Sequence, residues 1–175
     1  HTVNNACSSG TVAVGEAASW VRAGLCDIAI AGGADKLCRV VCNGFSALMI
    51  MDTDPCRPFD VRRKGLNLGE GAGVVVLESE ASLARRGKPA HAALLGYGNS
   101  MDAYHLSAPE PTGTGLRRAI ADALAEAGKT PADIAFINAH GTATPDNDRT
   151  EGKLFPQLLP GVPFLSTKGY TGHTL

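Results

Sequence analysis

The chain has 175 residues, is 44% hydrophobic, and sets 16 Lys and Arg against 17 Asp and Glu for a net charge of -1. That length suffices for one well-buried globular domain, and the balanced charge removes the electrostatic footprint that nucleic acid or an anionic membrane surface requires. No apolar run approaches the roughly 20 residues of a membrane-spanning helix, and five cysteines without a signal-peptide pattern point to reduced thiols in a cytoplasmic setting.

The chain opens on Asn5-Ala6-Cys7-Ser8-Ser9-Gly10, just ahead of a helical pattern from Ser8 to Ala23 with Val12, Val14, Ala17, Ala18 and Val21 on its apolar positions and Gly24 as its stop. Trp20 falls on this helix and reads as core. Asp27 to Ala31 reads as a buried strand ending at Gly32-Gly33, Lys36 to Met51 as a helix, and Pro55 to Pro58 as a loop. Gly73 to Glu78 is the clearest strand, Glu80 to Arg86 a short helix closed by Gly87, and Ala90 to Tyr97 another strand. Thr114 to Ala127 spaces Leu116, Ile120 and Leu124 at helical intervals before Gly128. Two short β-like runs follow, Ile134 to Ile137 and Val162 to Leu165, each leading into a Gly/Thr-rich loop: Asn138-Ala139-His140-Gly141-Thr142-Ala143-Thr144-Pro145 and Ser166-Thr167-Lys168-Gly169-Tyr170-Thr171-Gly172-His173-Thr174. The alternation is that of an α/β layered domain. The chain starts at His1 and stops inside the second of these loops, so it reads as a piece of a longer protein.

A thiol placed before a helix N-terminus is stabilised as thiolate by the free N–H groups and dipole of that helix, which makes Cys7 a candidate nucleophile. Two loop histidines, His140 and His173, complete a set suited to acyl chemistry. Other constellations fail on spacing. Gly69-Glu70-Gly71-Ala72-Gly73 precedes its strand instead of linking strand to helix, so a turn or close backbone approach explains it better than a phosphate site. Cys38, Cys42 and Cys56 lack paired zinc spacing, Asp146-Asn147-Asp148 lacks the rest of a calcium loop, and Gly113-x-Gly115 does not follow a strand. His1, His91 and His105 read as structural.

The ordered motifs ACSSG, PCRPFDVRRKGLNLGEGAGVVVLE, DAYHLSAPEP, NAHGTATPDND and STKGYTGHTL resemble the β-ketoacyl-acyl-carrier-protein synthases, the elongating condensing enzymes of fatty acid and polyketide assembly. The resemblance implies a thiolase-like α/β fold, two similar halves in α-β-α-β-α layers. Residues 1–80 then end the N-terminal half and 81–175 make most of the C-terminal half; the N-terminal part and the C-terminal tail of the family are not covered. It implies a decarboxylative Claisen condensation between an acyl group on Cys7 and malonyl-acyl-carrier-protein. His140 and His173 match the family histidines that stabilise the enolate, Lys168 the family lysine, and Glu151 an acidic position assigned to holding Lys168. Metal and cofactor are absent from the family scheme, whose substrates ride on the phosphopantetheine of acyl carrier protein. That carrier is the implied partner, with a homodimer or a paired ketosynthase-like subunit. On the residues alone, a Cys-His acyl-thioester hydrolase and a non-catalytic chain-length partner or inert fragment stay open beside the condensing reading. Only the condensing reading needs Cys7 and both histidines together.

Overall fold

A computed structural model describes all residues, His1–Leu175. Helix α1 (Ser9–Arg22) lies against strand β1 (Ile28–Asp35), which pairs antiparallel with β2 (Gly71–Glu78) in a two-stranded sheet. The register sets Ala29 opposite Leu77, Ile30 opposite Val76 and Ala31 opposite Val75. Alternation then sends Ala29 and Ala31 toward α1, where they form a core with Ala17, flanked by Val14, Val21 and Leu77. Small residues on both faces let the helix backbone sit close on the sheet. Ile28, Ile30, Val74 and Val76 are left exposed on the sheet's other face.

Helix α2 (Arg39–Ala47) is shorter than the expected Lys36 to Met51, because Cys38 is already extended and Met49 turns left-handed with φ 55°. Helices α3 (Glu80–Arg86) and α4 (Thr114–Ala127) close at Gly87 and Gly128 as the pattern requires. Ala90 to Tyr97 is not a strand. Extended chain becomes a strand only against a neighbour that completes its ladder, and this segment instead lies along α4: a Cβ on Gly96 or Gly98 would strike the carbonyl oxygens of Ala123 or Ala119.

The second sheet is minimal: β3 (Ile137–Asn138) and β4 (Phe164–Leu165), parallel, with Ile137 opposite Phe164 and Asn138 opposite Leu165. Both are shorter than their β-like runs. Between them runs α5 (Pro145–Leu158), a helix the hydrophobic pattern does not announce, since its first turns carry Asp146, Asn147, Asp148 and Glu151. Leu154 and Phe155 bury its far end, and Phe164 meets both Phe155 and Phe59 ring to ring. A four-residue helix α6 (Lys168–Thr171) follows β4.

The buried domain expected from length alone is not what forms. Only 23 of 175 residues are buried and the accessible surface is 11210 Å², where a compact monomer of 18.0 kDa exposes about 8,000 Å². Trp20 is accordingly 39% exposed, not core, with the ring of His1 edge-on to it at 5.7 Å. No helix is long and apolar enough to cross a membrane.

Candidate active site

Cys7 sits on a turn in which Ala6 adopts φ 49°, a strained value for a residue with a Cβ. The two serines of the motif hold that strain. Ser9 Oγ donates to the Ala6 carbonyl at 2.6 Å and accepts from the Asn5 N–H at 2.7 Å; Ser8 Oγ donates to the Asn5 carbonyl at 2.8 Å. Ser8 therefore makes no side-chain capping bond to α1, since its hydroxyl is spent behind the cysteine. Sequence reasoning read these serines only as helix start; a Ser-Ser pair directly after a cysteine was the available signal.

The parallel β3–β4 pair brings the two histidine loops together. His140 lies two residues beyond β3. Its loop turns at Gly141 with φ 46° and at the fully buried Ala143 with φ 63°. Ser166, just after β4, donates from Oγ to the Gly141 carbonyl at 2.9 Å, and a Cβ on Gly141 would run into the Ser166 side chain. Gly141→Ala is expected to cost about 2 kcal/mol or more through both effects, read as a lower urea midpoint. His173 is fixed from the other side. Its N–H donates to the Asn67 carbonyl at 2.8 Å and its carbonyl accepts from Gly69 at 2.9 Å. The Gly69–Gly73 segment thus acts through close backbone approach, Gly69 pressing on the Thr171 carbonyl.

These constraints place the Cys7 sulfur and one ring nitrogen of each histidine all within 4.8 Å of one another. The imidazole centroids are 5.2 Å apart at 81°. Beside them opens a cavity of about 1030 Å³ lined by Cys7, Ala13, Gly33, Phe45, Gly71 and Leu175 among others, room enough for an acyl chain.

Burial, with the nearby Lys168 cation second, pushes His140 down to about 3 and His173 to about 4, so both rings are neutral at physiological pH. His173 is 3% exposed; its Nδ1 accepts the Leu175 N–H at 3.0 Å, and its Nε2 is buried without a partner. An accepting Nδ1 on a neutral ring leaves the proton on Nε2, so His173 presents a fixed N–H to whatever enters. Cys, His and His are a donor set a metal ion can use, but a metal-bound histidine ordinarily donates its other ring N–H. His173 is wired the opposite way. The hydrogen bonds of His140 run through its backbone alone, which leaves its tautomer free.

Two expectations need correction. Burial raises the Cys7 thiol above its ordinary value, outweighing its own backbone N–H and Lys168, so the site does not rest as a helix-stabilised thiolate. Glu151 makes no ion pair with Lys168. It accepts the N–H groups of His140 at 2.9 Å and Gly141 at 2.8 Å, and Asn147 Nδ2 at 2.9 Å. It holds the histidine loop, while burial raises its carboxyl and holds Lys168 below the usual ammonium range. Cys56 is buried with its thiol on the Lys168 carbonyl at 3.1 Å. His105 accepts from Ser107 and Ala108 within its own loop, a structural role.

The family model described as beta-ketoacyl synthase, N-terminal domain matches residues 1–82, and the one described as beta-ketoacyl synthase, C-terminal domain matches residues 91–175. The chain belongs to the β-ketoacyl synthase family. It is 41% identical over 97% of its length to 3-oxoacyl-[acyl-carrier-protein] synthase 2 of Staphylococcus aureus, but covers 45% of that relative. The chain thus spans about half the length of the curated relatives it matches. Among solved structures, the ishigamide ketosynthase/chain length factor superposes with a TM-score of 0.93 and 41% identity, over 99% of this chain and 43% of that one. The structure of AntDE:AntF, a type II polyketide synthase acyl-carrier protein in complex with its ketosynthase bound to the hexaketide, matches with a TM-score of 0.91 at 32% identity, over 96% of this chain and 44% of that one. The fold is the thiolase-like α/β fold of the ketosynthases.

Proposed function

We propose that the protein carrying this chain is a decarboxylating condensing enzyme. It transfers an acyl group from acyl carrier protein to Cys7 and joins it to malonyl-acyl-carrier-protein, yielding β-ketoacyl-acyl-carrier-protein and CO2. The observation that carries the reading is the partnerless, buried Nε2–H of His173 beside a second neutral imidazole and a thiol. A hydrolase needs one histidine as base for the cysteine; a decarboxylase needs donors aimed at a developing oxyanion. This site has both.

In acyl transfer the Cys7 thiol must lose its proton as it attacks. The neutral His140 ring relays that proton in one concerted step, its free tautomer letting one nitrogen take the thiol proton as the other gives its own to the departing pantetheine sulfur, so no imidazolium forms. The carbon–sulfur bond to the carrier breaks as the one to Cys7 forms. Malonyl carrier protein then loses CO2, and the electron pair of that bond becomes an enolate whose oxygen takes hydrogen bonds from His173 and His140. The enolate carbon attacks the Cys7 thioester, its carbon–sulfur bond breaks, and the departing thiolate takes from water the one proton that the net reaction consumes. Lys168 acts through its charge, disfavouring imidazolium on both rings. Glu151 holds the His140 loop. The carrier partner is supported by the acyl-carrier-protein complex among the structural relatives, and pairing with a ketosynthase-like subunit by the chain-length-factor complex. The exposed apolar face of β1–β2 suits burial in a larger assembly. The scheme uses no cofactor beyond the carrier's phosphopantetheine, and it belongs in the cytoplasm.

With the complete gene product, Cys7→Ala is expected to abolish β-ketoacyl product while malonyl decarboxylation persists within about tenfold of wild type, because the oxyanion donors remain. CO2 release and product are measured in parallel. Release of free acyl acid by wild type without ketoacyl product would establish the hydrolase instead.

A further inference from the structure

The bond from the Leu175 N–H orients the His173 ring against its own stretch of backbone, but it cannot place that backbone in the molecule. Residues 66–69 do so. They run as a narrow strip between two neighbours, bridged in parallel to Met51 through Leu66 and to His173 through Leu68. On one side the Leu66 N–H donates to the Ile50 carbonyl and the Leu66 carbonyl accepts the Asp52 N–H, both at 2.9 Å. On the other, the Asn67 carbonyl and the Gly69 N–H hold the two backbone polar groups of His173. A Cβ on Gly172 would strike the Leu68 carbonyl and one on Gly69 the Thr171 carbonyl, so strip and loop lie backbone against backbone.

Asn67 carries the only polar side chain of the strip, and that side chain closes the 52–56 loop onto it. Its Nδ2 donates to the carbonyls of Asp52 at 2.9 Å and Asp54 at 3.1 Å, and its Oδ1 accepts the Cys56 N–H at 2.6 Å. These are the only hydrogen bonds those three backbone groups make. Cys56 carries the tie onward: 6% exposed, it donates its thiol to the carbonyl of Lys168, the first residue of α6, at 3.1 Å. The start of α6 is thus gripped through the Asn67 side chain, and His173, just beyond its end, through the Asn67 carbonyl. Any residue would supply that carbonyl. A short amide meets two acceptors and one donor at once, whereas an apolar side chain of similar size leaves all three without partners.

We propose that Asn67 is a positioning residue for the decarboxylation step: its side-chain amide braces the 66–69 strip and the 52–56 loop as one unit, and that unit sets where His173 and Lys168 stand relative to Cys7. Asn67 does not line the cavity beside Cys7 and acts only through the groups it holds. The rest of the site is held by other means. Ser8 and Ser9 fix the turn at Cys7, while Glu151, Asp148 and Ser166 fix the His140 loop. The catalytic consequence rests on the condensing reading; the brace itself stands on the contacts above.

The test uses the complete gene product with malonyl- and acyl-acyl-carrier-protein and reads the two half-reactions separately. In Asn67→Leu, kcat for CO2 release is expected to fall about tenfold with KM changed less than about twofold, while single-turnover acyl transfer to Cys7 stays within about twofold of wild type. Asn67→Asp is isosteric and keeps an oxygen for the Cys56 N–H, but at neutral pH it offers neither carbonyl a donor. It shows the same selective loss, and it decides the matter if Asn67→Leu does not fold. Hydrogen exchange reads the placement itself: in either variant the His173 and Cys56 amides lose about tenfold in protection relative to the Gly141 amide, which Glu151 holds from α5. Equal losses in the two half-reactions, or a uniform loss at all three amides, overturn the proposal, because a merely structural asparagine lowers stability without choosing a step. Wild-type rates in both half-reactions overturn it as well. A wild-type enzyme that protects these amides but releases no CO2 from malonyl carrier protein would count against the condensing reading, leaving the amide comparison to judge Asn67.

Discussion

On the proposed condensing reading, His173→Ala in the complete gene product is expected to lower malonyl decarboxylation by about 10²- to 10³-fold, and condensation with it, because it deletes the one proposed oxyanion donor whose direction the fold fixes. The Leu175 N–H on Nδ1 sets the tautomer, burial keeps the ring neutral, and no protein group competes for Nε2. His140 lacks such a lock. Removing it loses a donor that the enzyme must first orient, so His140→Ala should cost less in decarboxylation than His173→Ala and more in acyl transfer, where its free tautomer is the asset. Single-turnover assays separate the steps: radiolabelled acyl transfer to Cys7 for the first, CO2 release with Cys7→Ala as background for the second. Equal losses from the two histidine variants in both steps would remove the distinction between a fixed donor and a proton carrier.

How much of this was legible beforehand depends on the kind of signal. α4 and the Glu80–Arg86 helix were readable because period, start and stop agree locally. Cys7, His140 and His173 were readable because motif order ties them, although the first two lie 133 positions apart. The wiring was not. That Glu151 holds the backbone of His140 instead of Lys168 depends on where α5 docks, and α5 carries its charged face inward, against the pattern that marks a surface helix. The rise in the Cys7 thiol was equally hidden. A helix N-terminus in the sequence argues for thiolate, but the desolvation that opposes it depends on how the folded site packs around the sulfur. Trp20 and Ala90–Tyr97 failed for a common reason: an apolar or β-like pattern states a preference for a partner without supplying one. Each of the two sheets has only two strands, and neither pairs with Ala90–Tyr97.

Acid should weaken this fold through its two buried imidazoles. A histidine whose folded value lies below its unfolded one binds fewer protons when folded, so its stability contribution is complete above about 6.5 and is lost as pH falls toward the folded value. For His173 that window runs from 6.5 down to about 4, and the loss approaches about 3 kcal/mol at its lower end. His140 adds in the same direction, over a window reaching about 3. Glu151 works the other way: burial raises its folded value, so the folded state gains as that carboxyl protonates, and the net slope is shallower than the imidazoles alone would give. The variant difference isolates the histidine. Urea midpoints from pH 7.5 to 4.5 are expected to fall steeply for wild type and visibly less for His173→Gln, whose amide does not titrate, while Lys168→Met flattens the curve in part because its ammonium is a cause of both depressions. Decarboxylation follows a different course, with no imidazole protonation limiting kcat above pH 5 as long as the protein stays folded. Parallel wild-type and His173→Gln curves would mean that this ring charges freely in the folded state, and a charged ring there would no longer owe its single fixed N–H to the Leu175 bond.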